Sequence, residues 1–236
     1  MKIVQWASVL HKWLALFVGV QIVIWVGTGL FFAIVPIEQV RSEHRQRELT
    51  PAPLATADLS VLGRIFASGE AAPVKLTLEQ RPEGAVALAE FADARPLLFD
   101  ARTGARLSPL SAAAAERIAR ARIDATAPLR RAQWVTQESP EYRNALPAWR
   151  IEFDEPGRLA IYVSADTGLV TARRSDLWRL YDALWALHIM DWRDHENFNH
   201  GLIIAASALS LITLIAGVVL FPYRLRLPSR KKASPA

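Results

Sequence analysis

Two long stretches of the chain carry no charged side chain. Residues 13–36 and residues 201–223 contain no Asp, Glu, Lys or Arg. About 20 apolar residues in a helix cross the hydrocarbon core of a bilayer. We therefore predict two transmembrane helices rather than two buried core helices. No small-x-small cleavage site follows the first stretch, only PIEQV, so we expect it to be an uncleaved anchor.

The region between the two stretches alternates between helical and strand patterns. Thr56 is placed to cap a helix over 57–67, and Ser111 to cap an Ala-rich helix over 112–121. Period-2 alternation of apolar and polar residues marks the strands. They are expected at 74–78, 85–91, 96–100, 132–136, 148–153 and 159–163. The pattern predicts an α+β domain.

One motif occurs twice in this region. PLLFDARTGARL (96–107) and LAIYVSADTGLV (159–170) both read as an apolar strand, a Thr-Gly turn and a further apolar position. Gly104 and Gly168 are expected to take positive φ at the turn, which glycine adopts at least cost. The echo predicts two tandem copies of one small unit, each ending in a hairpin.

Each apolar stretch has one face of small and polar residues. Gln21 and Thr28 are seven positions apart in the first stretch. The second carries small and hydroxyl residues at spacings of 4, 3 and 4, namely Ala206, Ser210, Thr213 and Gly217. Small faces let helices approach closely, and polar groups in lipid seek partners. We expect these faces to meet, within one chain or between two.

A short amphipathic helix is predicted at 177–190, just before the second span. His188 lies on its apolar face, so it is expected to point toward lipid or the first span. Trp178, Trp185 and Trp192 recur every seven residues, as is typical of a helix at the headgroup level. The charged turn 191–196 is expected to be solvated together with His195, and His200 opens the second span.

The distribution of charge predicts the orientation in the membrane. Near the span ends, seven Lys and Arg lie on the side of the termini and four on the side of the central region. The positive-inside rule then puts both termini in the cytoplasm and the central domain outside. The net charge of +5 comes mostly from the tail, so it gives no indication of nucleic-acid binding. The absence of Cys excludes disulfides, Cys-ligated metal centres and covalent haem.

The chain resembles PepSY-domain proteins of the PepSY-associated transmembrane helix family. The resemblance is carried by LHKWLALFVGVQIVIWVGTGL (10–30), PIEQVRSEH (36–44), LPAWRIEFDEPGRLAIYVSADTGLVTARR (146–174) and LWALHIMDWRDHENFNHGLI (184–203). The first soluble unit matches only through DARTG. The resemblance implies a soluble module of one helix and antiparallel strands, associated with periplasmic binding or regulation of peptidases.

Larger relatives with four or more spans are similar to ferric-siderophore reductases that hold haem b between transmembrane histidines. Here His11, His44 and His188 stand where the family pattern carries histidine. This chain departs from the reductases in having two predicted spans and no GxGxxG motif for a nicotinamide or flavin. We therefore expect no autonomous activity. If the chain is redox-active, it is a subunit of a membrane ferric or siderophore reductase, as a homodimer or with a larger redox partner.

Two haem arrangements follow from the positions of the histidines. If residues 37–48 continue as a helix, His44 stands about 12 Å beyond Pro36 and reaches the height of His188, with His200 as a substitute partner. His11 is the one histidine expected on the inner side. A haem bound there would therefore need its second ligand from another subunit, for example His11 of a second chain. A non-haem metal at His188, Asp191, Asp194, His195 and Glu196 is an alternative, although their spacing matches no established motif. No hydrolase motif is present.

These observations predict an α+β protein of the bacterial inner membrane. The expected segments are a cytoplasmic N-terminus (1–12), the first span (13–36), an extension and linker (37–56), a first PepSY-like unit (57–125), a second PepSY unit (126–174), an interfacial helix and turn (175–199), the second span (200–223) and a basic tail (224–236). The expected function is a haem-b-associated redox auxiliary in iron or siderophore handling. The alternative is a tethered periplasmic binding or peptidase-regulatory module without a cofactor.

Overall fold

The computed structural model describes residues 2–47, 53–54, 60–66, 72–92, 94–124 and 127–224. The predicted cap at Thr56 and the basic tail from residue 225 lie outside these ranges. The chain divides into two compact units. One combines Met1–Ile34 with Asp182–Ala236, and the other is Val35–Tyr181.

The first unit is built on two long helices. Helix α1 is Lys2–Ile34, and the last helix, α6, is Gly201–Arg224. His11–Ile34 and Gly201–Phe221 are each long and apolar enough to cross a membrane. The two helices pack against each other. They run antiparallel, because His11 of α1 lies beside Gly217 while Gln21 lies near Ala206.

The packed faces are the predicted small and polar ones. Thr28 on α1 and Thr213 on α6 are each only 5% exposed, whereas most apolar side chains of both helices face outward. In lipid, association of helices depends on close packing and hydrogen bonds rather than on hydrophobicity. Gln21 of α1 lies near Ala206 of α6, so the two predicted faces meet within one chain, while the hydroxyl of Thr28 contacts His188.

The second unit is an α+β domain. Its helices are α2 (Ile37–Val40), α3 (Val61–Phe66) and α4 (Ala112–Arg122), with a 3-10 turn at Glu43–Arg45. Helix α5 (Asp176–Ile189) begins in this unit and ends in the first. The described residues of the second unit also form seven strands: β1 (Lys75–Arg81), β2 (Gly84–Glu90), β3 (Leu97–Asp100), β4 (Leu129–Val135), β5 (Ala148–Phe153), β6 (Ala160–Ser164) and β7 (Val170–Arg174).

Each set of strands forms its own antiparallel sheet. The first sheet has the order β1-β2-β3, and the second has the order β4-β5-β6-β7. The six strands predicted from alternation are all present, with bounds shifted by a few residues. Ser111 caps α4 as predicted, since its Oγ accepts a hydrogen bond from the backbone N–H of Ala114.

Helix α4 lies in the centre of the domain core. Its buried face, with Ala115, Ile118 and Ala119, joins one hydrophobic cluster with Val86 and Leu98 of the first sheet. The same cluster includes inward-facing residues of the second sheet, namely Ile151, Phe153, Ile161 and Val163. Helix α3 covers the opposite face of the first sheet through Val61 and Ile65. One helix therefore holds both sheets together.

The two Thr-Gly turns have the same hydrogen bonds. Asp100 N–H donates to Ala105 O and Gly104 N–H to Asp100 O, and 64 residues later Ser164 N–H donates to Leu169 O and Gly168 N–H to Ser164 O. Gly104 has φ +73° and Gly168 has φ +67°. These angles confirm the predicted positive φ at both glycines. Glycine adopts this left-handed conformation at little cost because it has no Cβ.

Gly168 also faces a crowded neighbourhood. A Cβ there would lie 3.1 Å from Arg81 Nη1 and 3.3 Å from Ile118 Cδ1. We expect Gly168→Ala to lower the free energy of unfolding by about 1–2 kcal/mol for the left-handed backbone and a further ~1–3 kcal/mol for overpacking. Urea unfolding of the full chain in detergent, followed by far-UV circular dichroism, measures the loss.

The matched control is Gly157→Ala. Gly157 has φ +84°, but a Cβ there meets nothing within 4 Å, so only the backbone cost applies. Equal losses for the two variants would contradict the crowding at Gly168.

Candidate functional site

His188 lies on the last turn of α5 and contacts helix α1. Trp25 Nε1 donates a hydrogen bond to the backbone O of His188 at 2.7 Å. Thr28 Oγ1 lies 2.7 Å from His188 Nδ1. Of the two directions expected for His188, toward lipid or toward the first apolar stretch, these two contacts show the second. They fix both the backbone and the ring of His188 relative to α1.

The hydroxyl of Thr28 determines which ring nitrogen of His188 carries the proton. Thr28 Oγ1 also lies 2.7 Å from the carbonyl O of Ile24. A hydroxyl has one proton and a carbonyl oxygen can only accept, so the Thr28 proton goes to Ile24. His188 Nδ1–H must then donate to Thr28 Oγ1. In a neutral ring this leaves the lone pair on Nε2.

The surroundings of the His188 ring favour its neutral form. Partial burial lowers the pKa of His188 below its ordinary value of 6.5. The ring of Trp185 lies parallel to it with centroids 6.3 Å apart, and Phe32 meets it edge-on at 5.6 Å. Among the described residues, no polar atom is hydrogen-bonded to Nε2. The site therefore presents one lone-pair nitrogen beside aromatic surfaces.

His11 lies near the opposite end of the two packed helices. Its ring packs on Gly217, where a Cβ would come within 3.1 Å of His11 Cε1. Its Nδ1 is buried and has no hydrogen-bond partner in the described part of the chain. An apolar groove of about 540 Å³ adjoins the ring, lined in part by Thr213 and Phe221.

His11 and His188 are too far apart to bind one iron. Seventeen positions separate His11 from Thr28, the partner of His188, which is about 25 Å along a helix. The two residues belong to two separate candidate sites.

His200 is engaged with the backbone. Its Nε2 lies 3.0 Å from the carbonyl O of Ile189. Because a carbonyl only accepts, Nε2–H donates, and this bond caps the C-terminal end of α5. As a substitute ligand His200 would have to use Nδ1 or give up this cap.

His44 does not stand on a helical extension. Helix α2 ends at Val40, and Ser42 takes φ +55°. The chain then runs past the end of α4, where Gln46 pairs with Ile123 and Arg47 N–H donates to Arg122 O. The expected helical continuation through residue 48 is therefore wrong. His44 is exposed and belongs to the second unit, so its pairing with His188 stays a prediction.

His195 is not free in solvent as expected. Its Nδ1 lies 2.5 Å from Asp182 Oδ2, and both side chains are about 20% exposed. The loop folds back onto α5 because Asp191 organises it. The Asp191 carboxylate accepts hydrogen bonds from the backbone N–H groups of Arg193, Asp194, Glu196 and Asn197. These bonds hold the pKa of Asp191 well below its usual range.

The residues of the alternative metal site are thus used in other ways. Asp191 binds backbone and His195 pairs with Asp182. Across the described ranges, no group of three or more His, Asp or Glu side chains is arranged to hold a metal ion.

Thr28 is the residue whose role at this site sequence reasoning missed. The sequence pattern places Thr28 on the helix–helix face and gives no link to His188. The sequence does contain one indication of this role, a hydroxyl within a stretch that has no charged residue. A polar group buried in an apolar environment needs a hydrogen-bond partner.

Comparisons with family models, with curated proteins and with solved structures find no match to the chain.

The neutral form of His188 has a consequence for stability at low pH. Because burial lowers the pKa of His188, the unfolded chain takes up a proton that the folded chain resists as the pH falls below 6.5. Stability is therefore present above pH 6.5 and declines as the pH falls through the pKa of the folded state. We expect His188→Asn to lack this part of the decline, measured as thermal unfolding midpoints from pH 7.5 to 5. If the unfolding midpoints of the wild-type chain and His188→Asn fall in parallel between pH 7.5 and 5, the role of His188 in this decline is refuted.

Proposed function

We propose that the chain is an inner-membrane protein of PepSY type that holds haem b at His188 and serves as a redox auxiliary. Two helices apolar enough to cross a bilayer support the membrane assignment. In this proposal both termini are cytoplasmic, in line with the seven Lys and Arg on that side. The central domain is then periplasmic.

In the same proposal the central domain consists of two PepSY-like units in tandem. The turn hydrogen bonds that recur at an offset of 64 residues support this. So does the order of elements, since a helix and a three-stranded antiparallel meander occur twice, as α3 with β1–β3 and α4 with β4–β6. In this arrangement the boundary between the two units falls before α4 and not at residue 125. Strand β7 extends the second unit.

The haem proposal rests on one observation, the free Nε2 of His188. Axial ligands of haem b are neutral imidazoles, and a ligand histidine commonly donates its other ring N–H to an oxygen that fixes its orientation. Thr28 Oγ1 provides that oxygen. Trp185 and Phe32 add flat apolar surface beside the ring. The residues present therefore fit a haem group that His188 would hold through Nε2.

The chain's own residues have defined tasks in this proposal. Thr28 holds the imidazole in the Nδ1–H tautomer, and Trp25 fixes the backbone that carries it. Haem, when bound, supplies one-electron transfer. A second ligand would be His44, which stands where the family pattern carries histidine, with His200 as its substitute. His11, about 25 Å away along α1, would serve a separate haem together with His11 of a second copy.

An electron donor has to come from a partner. The sequence contains no GxGxxG motif for a nicotinamide or flavin. We therefore propose that the chain works as a homodimer or within a larger membrane redox complex, such as a ferric or siderophore reductase, and has no autonomous activity.

A second candidate function is a tethered periplasmic binding or peptidase-regulatory module without a cofactor. The observation that favours it is the edge strand β4, which pairs only with β5 in the sheet and is largely exposed. An open edge of this kind accepts an extended peptide as an added strand.

Haem titration of the purified full chain in mild detergent separates the two candidates. We expect hemin to give a Soret band of bound haem that His188→Ala abolishes. Thr28→Val keeps the shape but removes the acceptor for Nδ1–H, so we expect haem affinity to fall about 10–100-fold. Thr28→Ser, which keeps the hydroxyl, should retain most of it.

His195→Gln is the matched control, because His195 is paired with Asp182 and has no part in the proposed site. His44→Ala tests the second ligand. A folded, colourless protein after hemin addition, or a Soret band unchanged in His188→Ala, would reject the haem proposal and favour the binding module.

A further inference from the structure

A cavity of about 310 Å³ in the second unit is lined by residues from both sheets. The first sheet contributes Leu97 of β3 and the segments that flank this strand, and the second contributes Trp134 of β4 and the residue before β5. Cavities of this size accommodate small molecules, and they are common where two structural units meet. This one is therefore a candidate binding site, and the haem proposal makes no use of it.

The walls of the cavity include flat apolar surface. The apolar lining residues are Phe91, Leu97, Pro109, Trp134 and Pro147. Trp134 is 40% exposed, and its ring meets that of Trp149 edge-on with centroids 4.9 Å apart. Trp149 is itself held in place, because its Nε1 donates to the backbone O of Leu110 at 2.7 Å. An apolar ligand group therefore meets a wall whose position is fixed.

Asp166 brings a nearly buried carboxylate to this cavity. The residue is only 8% exposed and lines the cavity. Among the described residues its carboxylate accepts no hydrogen bond, and its one ion pair joins Oδ2 to Arg95 Nη1 at 3.6 Å, which is longer than a hydrogen bond. The carboxylate is open to the cavity, since neither oxygen is among the fully enclosed unpaired atoms of the described residues. A buried carboxylate needs a donor, and the cavity is where one can reach it.

The turn that carries Asp166 does not need its side chain. In the first Thr-Gly turn the Asp100 carboxylate accepts a hydrogen bond from the backbone N–H of Arg102. In the second turn Ser164 Oγ takes this role and accepts from the backbone N–H of Thr167. At the offset of 64 residues Asp166 corresponds to Arg102, whose side chain is 60% exposed. The burial of an acid at this position is therefore specific to the cavity.

Arg95 places a positive charge beside Asp166. Its side chain is 70% exposed and lines the cavity, and its Nη1 is the atom 3.6 Å from Asp166 Oδ2. A guanidinium has five N–H donors, so this one long ion pair leaves Arg95 able to bind a further acceptor. Arg106 also lines the cavity, with its Nε donating to the backbone O of Ser108 at 2.9 Å. The cavity thus presents an acceptor and a cationic donor side by side next to an apolar wall.

We propose that this cavity binds a free α-amino acid with an apolar side chain. The ammonium and the carboxylate of such a ligand are attached to one carbon, so they match the adjacent charges of Asp166 and Arg95. The ammonium gives Asp166 the direct hydrogen bonds that it lacks, and charge-assisted bonds of this kind are the strong ones. The side chain packs against Trp134 and Phe91. Because the zwitterion is neutral overall, it adds no net charge to the site.

Isothermal titration calorimetry of the full chain in mild detergent, with L-phenylalanine as the probe, tests the proposal. We expect saturable binding to the wild-type chain without hemin, because the site lies within the second unit. Two further probes each lack one charge of the amino acid, namely 2-phenylethylamine and 3-phenylpropionate. We expect each of them to bind at least about ten-fold more weakly, since a lost charged hydrogen bond contributes on that scale.

Two variants assign the charges of the ligand to their partners. Asp166→Asn should lower the affinity for L-phenylalanine at least about ten-fold without weakening 3-phenylpropionate, which has no ammonium. Arg95→Gln should lower the affinity for L-phenylalanine by a similar factor without weakening 2-phenylethylamine, which has no carboxylate. Neither side chain takes part in the turn hydrogen bonds, so both variants should keep the far-UV circular dichroism spectrum of the wild-type chain.

The matched control is Arg102→Gln. Arg102 is exposed like Arg95 and forms a similarly long ion pair, 3.9 Å to Asp100, but it does not line the cavity. This variant should bind L-phenylalanine like the wild-type chain. No saturable binding of L-phenylalanine, or equal affinity in the wild-type chain and both cavity variants, would overturn the proposal. Tighter binding of either single-charge probe than of L-phenylalanine would also overturn it.

Discussion

In the first unit, the single proton of the Thr28 hydroxyl determines how His188 is hydrogen-bonded to α1. Two polar atoms, Ile24 O and His188 Nδ1, each lie 2.7 Å from this hydroxyl, and only one of them can accept. Because the hydroxyl proton goes to Ile24 O, the Nδ1 atom of His188 must carry its own proton, and this fixes the tautomer of the ring. Together with Trp25, the same contact connects the end of α5 to α1. One threonine therefore joins helix packing to the chemistry of the histidine.

The second unit depends on close packing around α4. The buried face of this helix belongs to one cluster with residues of both sheets. Gly168 contributes twice, since it closes a turn at positive φ and leaves space for Arg81 and Ile118.

Features set by local sequence could be predicted, and features set by distant contacts could not. The Ser111 cap, the turns at Gly104 and Gly168 and the face with Thr213 follow from neighbouring residues. The Thr28–His188 contact joins residues 160 positions apart, and the pairing of His195 with Asp182 depends on how Asp191 folds its loop. The break at Ser42 arises because residues 46–47 pair with the end of α4. No local pattern encodes these contacts.

The most direct test of the account is the nitrogen NMR spectrum of His188 in the full chain, labelled with ¹⁵N-histidine and held in detergent at neutral pH. His188→Asn assigns the signals. We predict that Nδ1 of His188 carries the proton, that Nε2 is the lone-pair nitrogen, and that hemin shifts or broadens the Nε2 signal first. A proton on Nε2, with signals unaffected by hemin, would contradict the account.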